Sequence, residues 1–312
     1  MRAFKPAVVI PVYNHPGTIA RVVREAQKLR VPIYLVDDGS NEETRLEVDA
    51  LAGPSVTVLR HRKNRGKGAA VSTGMRAAKK AGFTHALQVD ADAQHDLAQL
   101  PAMLKLAEKF PCALICGAPE FDGSAPAARR WGRRLTNFWV AVNGLSCSFE
   151  DAMCGLRVYP LEPTVAVLEN ASIGERMEFD PEILVRLLWA GVRVKNVPVR
   201  VTYPEKGVSH FRAGRDNVRI SFMHAKLFLM MISRLPIILW SKLFGWAPEC
   251  ECAKPKKVRP APCAKPRAHA PVRSDEEAER AHRAQEAADR AQLEAERRLK
   301  NISGDSTRSG AR

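Results

Sequence analysis

Short runs of consecutive apolar residues alternate with amphipathic stretches through the first 120 positions. Ala7-Val8-Val9-Ile10 reads as a buried strand, after which Ile19, Val22, Val23, Ala26 and Leu29 recur at helical spacing. Apolar runs at 33–36 and 56–59 predict two further strands on either side of a helix near 42–51. A helix over roughly 68–81, a strand at 86–89, a helix at 97–109 and a strand at 113–116 complete the series. Strands that are apolar throughout, each followed by a helix, predict an α/β fold. Its central sheet is doubly wound and mostly parallel, with helices on both faces. In such a sheet, ligands bind beyond the carboxyl ends of the strands.

The pattern loosens after residue 120. A basic amphipathic helix is expected around 129–142, a turn at Glu150-Asp151, a helix over 181–190 and a strand over 192–201. From 216 to 247 the chain is dense in Leu, Ile, Met, Phe and Trp, but Lys226, Arg234, Pro236 and Lys242 interrupt it. No stretch reaches the ~20 apolar residues that a membrane span needs. Amphipathic helices lying in a bilayer interface are therefore expected here, with a core helix pair as the plainer alternative. Residues 248–274 read as a Pro/Lys/Arg/Ala-rich linker. Residues 275–312 read as a solvated Ala/Glu/Arg helix with a disordered end, its Glu and Arg side chains paired at i,i+4, as in Glu276/Arg280.

Composition narrows the partners. The 312 residues are 46% hydrophobic and 27% charged, which excludes wholesale disorder and fibrous repeats. The net charge of +15 is concentrated in residues 1–248, so the folded part itself seeks anionic company. Nucleic acid is a poor candidate, because only 6% of the chain is aromatic and much of that lies in the apolar C-terminal segment. Seven irregularly spaced cysteines with no secretory signal imply free thiols in a reducing, cytoplasmic setting. Cys250, Cys252 and Cys263 lack the second pair that a zinc site would show.

Three strands finish in polar residues at one edge of the sheet: Pro11-Val12-Tyr13-Asn14, Asp37-Asp38-Gly39-Ser40 and Asp90-Ala91-Asp92-Ala93-Gln94-His95. Two carboxylates two residues apart at a strand end can converge on a hard cation, with Gln94 as a further oxygen. Magnesium or manganese would fill its other positions with water and phosphate oxygens. Asn64-Arg65-Gly66-Lys67-Gly68 then opens a helix with small residues and positive charge, suited to a close-lying phosphate. Neither a GxxxxGK[ST] loop nor a GxGxxG occurs, which disfavours ATPases and nicotinamide enzymes.

Taken in order, these four segments resemble the N-terminal signatures of family 2 glycosyltransferases of the GT-A fold. The block Asp151-Ala152-Met153-Cys154-Gly155-Leu156-Arg157 and the later Gly207-Val208-Ser209-His210-Phe211-Arg212 resemble motifs of the dolichyl- and polyprenyl-phosphate sugar transferase branch. The chain differs from that branch at Gly117-Ala118-Pro119-Glu120, where an Arg is usual, and at His210, where Lys is usual. The resemblance implies a GT-A domain over 1–215, with a nucleotide-binding half (about 1–120) and an acceptor half (about 121–215). It implies that Pro11 and Tyr13 bound the nucleobase and that Asp38 meets the base or ribose. Asn14, Arg65, Lys67, Gly68 and Ala91 would complete the nucleotide-sugar site. Asp90, Asp92 and Gln94 would hold Mg²⁺ or Mn²⁺, and Arg157, Lys206, His210 and Arg212 would grip phosphate or acceptor.

For a hydroxyl acceptor the expected base is Asp151, followed by Asp180 and Glu150. The activity implied is inverting transfer from a nucleoside-diphosphate sugar to a lipid or lipid-phosphate acceptor. The protein is expected peripherally on the anionic inner face of the plasma membrane. A sugar nucleotidyltransferase and a catalytically inactive scaffold are the alternatives.

Overall fold

The computed structural model describes residues 3–121, 127–201 and 213–243. The first half alternates as its pattern predicts. β1 (Pro6–Val12), α1 (Ile19–Gln27), β2 (Ile33–Asp37), α2 (Glu42–Ala50) and β3 (Val56–Arg60) come first. α3 (Lys67–Lys80), β4 (His85–Gln88), α4 (Leu100–Lys109) and β5 (Ala113–Phe121) follow, with a short 3₁₀ turn at Leu97–Gln99 leading into α4. α5 (Ala127–Gly144), β6 (Arg157–Pro160), α6 (Leu161–Asn170), α7 (Phe179–Trp189), β7 (Arg193–Val201) and α8 (Ala213–Leu243) complete the described chain.

The seven strands form one sheet in the order β3-β2-β1-β4-β6-β5-β7. All pairings are parallel except those of β6, which runs antiparallel between β4 and β5. The strands serve two cores at once. Ala7 and Val9 of β1 face Val71 and Met75 of α3 and the α6, α7 and α8 residues behind them. Val8, Ile10 and Val12 face Ile19 and Val22 of α1 and Met103 of α4. This two-sided burial explains why the strand runs are apolar without alternation.

Two features differ from the sequence expectation. β6 and α6 occupy a stretch for which the pattern predicts no element, because a four-residue strand ending in proline carries almost no periodicity. The 216–247 segment is one continuous helix in its described part, not several. Along α8, Ile220, Met223, Leu227 and Met231 enter the core, while Val218, Phe222, Leu229 and Ile232 stay exposed. Among the described residues, the segment's apolar side chains thus divide between the core and the surface.

α8 is seated against α5 through His224. Its Nδ1 lies 3.3 Å from Asn143 Nδ2, and its ring stacks obliquely on Trp139 at 6.4 Å. Burial pushes the His224 imidazole down to about 4 from an ordinary 6.5. A histidine that stays neutral when folded but takes a proton when unfolded stabilises fully only above its ordinary value. That contribution fades as pH falls from 6.5 toward 4. Hydrogen exchange of α8 amides should therefore accelerate over this window in the wild type and much less in His224→Phe. Equal acceleration in both proteins would contradict the assignment.

Candidate active site

The chain leaves β4 at Gln88 and passes Asp90 into a tight turn whose hinge is Ala93, at φ +54°. The turn is tied down twice. Asp92 Oδ1 accepts the Gln94 N–H (3.1 Å), and the Thr18 hydroxyl donates to the Ala91 carbonyl (2.8 Å). Asp90, Asp92 and Gln94 therefore share one fixed loop beyond the sheet edge.

Asp90 Oδ2 lies 2.9 Å from Lys67 Nζ and 3.9 Å from His95 Nε2, while Oδ1 is buried with no hydrogen-bond partner. Lys67 Nζ is also 2.9 Å from Asp180 Oδ2, and Asp180 Oδ1 accepts from Gln88 Nε2 (3.3 Å). Burial works against the Lys67 ammonium, yet the Asp180 and Asp90 carboxylates hold it charged, far above the ordinary lysine value. Burial would likewise raise the Asp90 carboxyl, but Lys67 and His95 outweigh it and hold that group below its usual value.

Gly155 covers this cluster with bare backbone. A Cβ there would collide with Asp90 Oδ2 and stand 2.5 Å from Lys67 Nζ. The unpartnered buried oxygen on Asp90 and the carboxylate–amide donor set fit a hard divalent cation. Such an ion needs only one or two carboxylates when a diphosphate supplies the rest. Among the described residues no group of three His, Cys, Asp or Glu side chains stands ready to hold a metal ion by itself.

The residues expected to meet the nucleoside lie at neighbouring strand ends. Pro11 is buried and Tyr13 half-buried at the tip of β1. Asn14, at φ +51°, links this tip to β2: its N–H meets Ser40 Oγ (3.1 Å) and its Oδ1 accepts the Asn41 N–H (2.8 Å). Asp38 is 2% exposed, and its carboxylate accepts from the Arg65 and Gly66 amides (2.9 and 2.7 Å) and contacts His61 Nδ1 (2.6 Å). This corrects the expected base or ribose contact, because Asp38 shapes the loop before α3 and offers no surface to a ligand.

Gly66 takes φ +114°, and a Cβ on it would press on the Glu175 carbonyl. Arg65 is exposed and paired with Glu175 (2.7 Å), and Gly68 is buried in the first turn of α3. Beside this loop opens a cavity of about 460 Å³ lined by Lys63, Asn64, Arg65, Glu175, Arg176, Glu178 and Arg219.

The residues expected to serve the acceptor depart most from expectation. Arg157 is wholly buried, donating to the Asp180 carbonyl (2.8 Å) and the Ala152 carbonyl (2.7 Å). It therefore forms the floor of the site and cannot reach a phosphate. Asp151 is gripped by Arg133 through two bonds (2.8 and 2.9 Å) and accepts the Met153 amide (2.8 Å). Burial would raise its carboxyl, but the Arg133 guanidinium holds it below the ordinary value, a poor setting for a proton acceptor. Asp180 is likewise engaged by Lys67, whereas Glu150 is exposed.

Lys206, His210 and Arg212 lie outside the described residues, as do the 248–274 linker and the 275–312 tail. Arg133, Gln88 and Gly155 were missed as site residues. A polar Gln inside the apolar run Ala86-Leu87-Gln88-Val89 was the one clear sequence signal among them.

Residues 7–155 match the family model for glycosyl transferase family 2. The UDP-N-acetylglucosamine–dolichyl-phosphate N-acetylglucosaminyltransferase of Methanococcus voltae is 26% identical, covering 72% of this chain and 94% of that protein. The undecaprenyl-phosphate mannosyltransferase of Micrococcus luteus is 27% identical, covering 66% of this chain and 87% of that one. The crystal structure of S. aureus TarS 1-349 in complex with UDP-GlcNAc shares the fold, with a TM-score of 0.51 at 13% identity, over 78% of this chain and 73% of that one. Through residues 7–155, just under half of its length, this chain is similar to glycosyl transferase family 2, and it shares the GT-A fold, which together with its named relatives supports a glycosyltransferase.

Proposed function

We propose that this glycosyltransferase moves a sugar from a nucleoside-diphosphate donor to a polyprenyl-type lipid phosphate at a membrane surface. The observation that carries the reading is the fixed turn at the end of β4, where Asp90, Asp92 and Gln94 gather beside Lys67. Asp90, Asp92 and Gln94 would hold Mg²⁺ or Mn²⁺. Such an ion, when bound, neutralises charge developing on a departing diphosphate. Lys67 and the first turn of α3 add positive potential on the same side, Tyr13 and Pro11 bound the base, and Arg65 stands at the loop's rim.

The acceptor follows from what the carboxylates are doing. Asp151 and Asp180 are both tied to cations, so neither is poised to take a proton. A phosphate acceptor is already ionised and needs no base. Relatives named as dolichyl-phosphate and undecaprenyl-phosphate sugar transferases support the same choice. A lipid hydroxyl would instead fall to the exposed Glu150. Inversion at the sugar carbon is the outcome the family resemblance implies.

The outer face of the α5–α8 pair supports work at a bilayer. α5 exposes Trp131, Leu135 and Phe138, and α8 exposes Val218, Phe222, Leu229 and Ile232, each set along one side of its helix. Trp139 and Phe228 meet edge-on at 6.2 Å between the helices and join the two stripes. Arg130, Arg134 and Arg215 are exposed on the same helices, suited to anionic headgroups. Among the described residues no helix is long and apolar enough to cross a membrane, so this face would lie on the surface. The side holding soluble nucleotide sugars is the cytoplasmic face of the plasma membrane.

One assay tests the reading. The full chain is incubated with UDP- and GDP-sugars and polyprenyl phosphate in vesicles containing anionic lipid, with Mn²⁺ or EDTA. Metal-dependent release of nucleoside diphosphate is expected, with the chain sedimenting with the vesicles and Phe222→Asp releasing it. Pyrophosphate release would identify a nucleotidyltransferase, and donor binding without turnover would identify an inactive scaffold.

A further inference from the structure

Lys67 sits where a cation is wanted twice over. Its ammonium is 2.9 Å from Asp90 Oδ2 and 2.9 Å from Asp180 Oδ2, two largely buried carboxylates that no single strand brings together. Asp90 comes from the end of β4 and Asp180 from the first turn of α7, while Lys67 opens α3. The other Asp90 oxygen is buried with no partner at full bonding distance, only the Gln88 amide helping to hold the carboxyl down, so this carboxylate is less fully engaged than Asp180. Gln88 steadies Asp180 from below, leaving that residue fully engaged. A flexible lysine stem held between one saturated and one less engaged carboxylate is built to pivot on the first and release the second.

We infer that Lys67 is a resident counter-cation that occupies Asp90 until donor arrives, then keeps Asp180 as its pivot and turns to the diphosphate. This rests on the reading of Asp90 and Asp92 as the divalent-metal residues. The consequence is a coupling between metal and nucleotide. Without nucleotide, the ammonium next to Asp90 repels a second cation and competes for one of its oxygens. With a diphosphate present, the same ammonium gains an anionic partner, so its charge favours the ternary complex. Lys67 thereby makes this site prefer metal bound with diphosphate over metal alone. Gly155 keeps the space that the swing requires, because any Cβ there would strike both Asp90 and Lys67.

The test is Mn²⁺ titration of the full chain by electron paramagnetic resonance, with and without UDP or GDP. It compares wild type, Lys67→Met, Lys67→Arg and Asp92→Ala. Lys67→Met should bind Mn²⁺ alone about tenfold more tightly and gain about tenfold less from added nucleoside diphosphate. Lys67→Arg, which keeps the charge, should stay near the wild-type coupling. Should Lys67→Met fail to fold, Asp180→Asn supplies the opposite displacement. With only Asp90 left to hold, Lys67 should then weaken binding of Mn²⁺ alone. Unchanged or weaker binding in folded Lys67→Met, or unchanged binding in Asp180→Asn, overturns the counter-cation role. If wild type takes up no Mn²⁺ even with nucleotide, or Asp92→Ala binds it equally well, the metal reading itself fails instead.

Discussion

Asp92→Ala is expected to abolish metal-dependent transfer, lowering kcat by about a thousandfold or more, while the protein unfolds at nearly the wild-type temperature. The two halves of that expectation have separate causes. Losing a ligand to the cation that neutralises a departing diphosphate removes several kcal/mol of transition-state stabilisation, and ~1.4 kcal/mol is a factor of ten in rate. The fold loses much less. Asp92 is half-exposed, and its Oδ1 bond to the Gln94 amide is a single turn contact worth about 1 kcal/mol. Asp90 is the less informative position, since its removal also takes away one of the two carboxylates that hold the Lys67 ammonium. Nucleoside diphosphate release, measured beside thermal unfolding, separates the effects. Full activity in Asp92→Ala would remove this aspartate from the mechanism.

The sheet was legible in the sequence because β1, β2, β4 and most of β5 are buried on both sides and announce themselves as apolar runs, while the edge strands β3 and β7, buried only in part, still carry enough apolar positions to be read. What escaped was the antiparallel insertion. β6 is four residues long and begins with an arginine, and nothing in a local pattern says that Arg-Val-Tyr-Pro will lie between β4 and β5. The candidate site was half legible for a related reason. Residue types and order place Asp90, Asp92, Gln94 and Lys67 at one edge, but a sequence does not say which charges face one another.

Asp38, Asp151 and Arg157 have the right chemistry for ligand contact, yet the structure uses them inward. Asp38 satisfies the amides before Gly66, Asp151 takes Arg133, and Arg157 binds two carbonyls. Arg133 was hidden for the opposite reason. It stands among Arg129, Arg130 and Arg134 in a basic run, and only the helix phase turns it toward Asp151. At positions 38, 133, 151 and 157, polar residues of the sequence motifs thus build the scaffold that carries the reactive ones.

Arg157→Met should therefore fail as a stability variant before it fails as a catalytic one. The Arg157 guanidinium is fully buried and joins three segments: its own strand β6, the first turn of α7 through the Asp180 carbonyl, and the 151–155 loop through the Ala152 carbonyl. The Tyr159 hydroxyl stands 3.4 Å from the same group. Methionine fills much of the volume but takes the donor from the Ala152 carbonyl and strips a second one from the Asp180 carbonyl, whose other partner is the α7 ladder. The lost charge-assisted bonds and the orphaned loop carbonyl together set an expected loss of about 2–5 kcal/mol. Lysine should rescue little of this, because a point charge on a flexible stem cannot span two carbonyls as the planar fork does. Urea unfolding of Arg157→Met and Arg157→Lys checks the assignment. A well-folded Arg157→Lys with a raised Michaelis constant for lipid phosphate would instead return this arginine to the acceptor. A loss below about 1 kcal/mol in both variants would mean that the three segments hold without it.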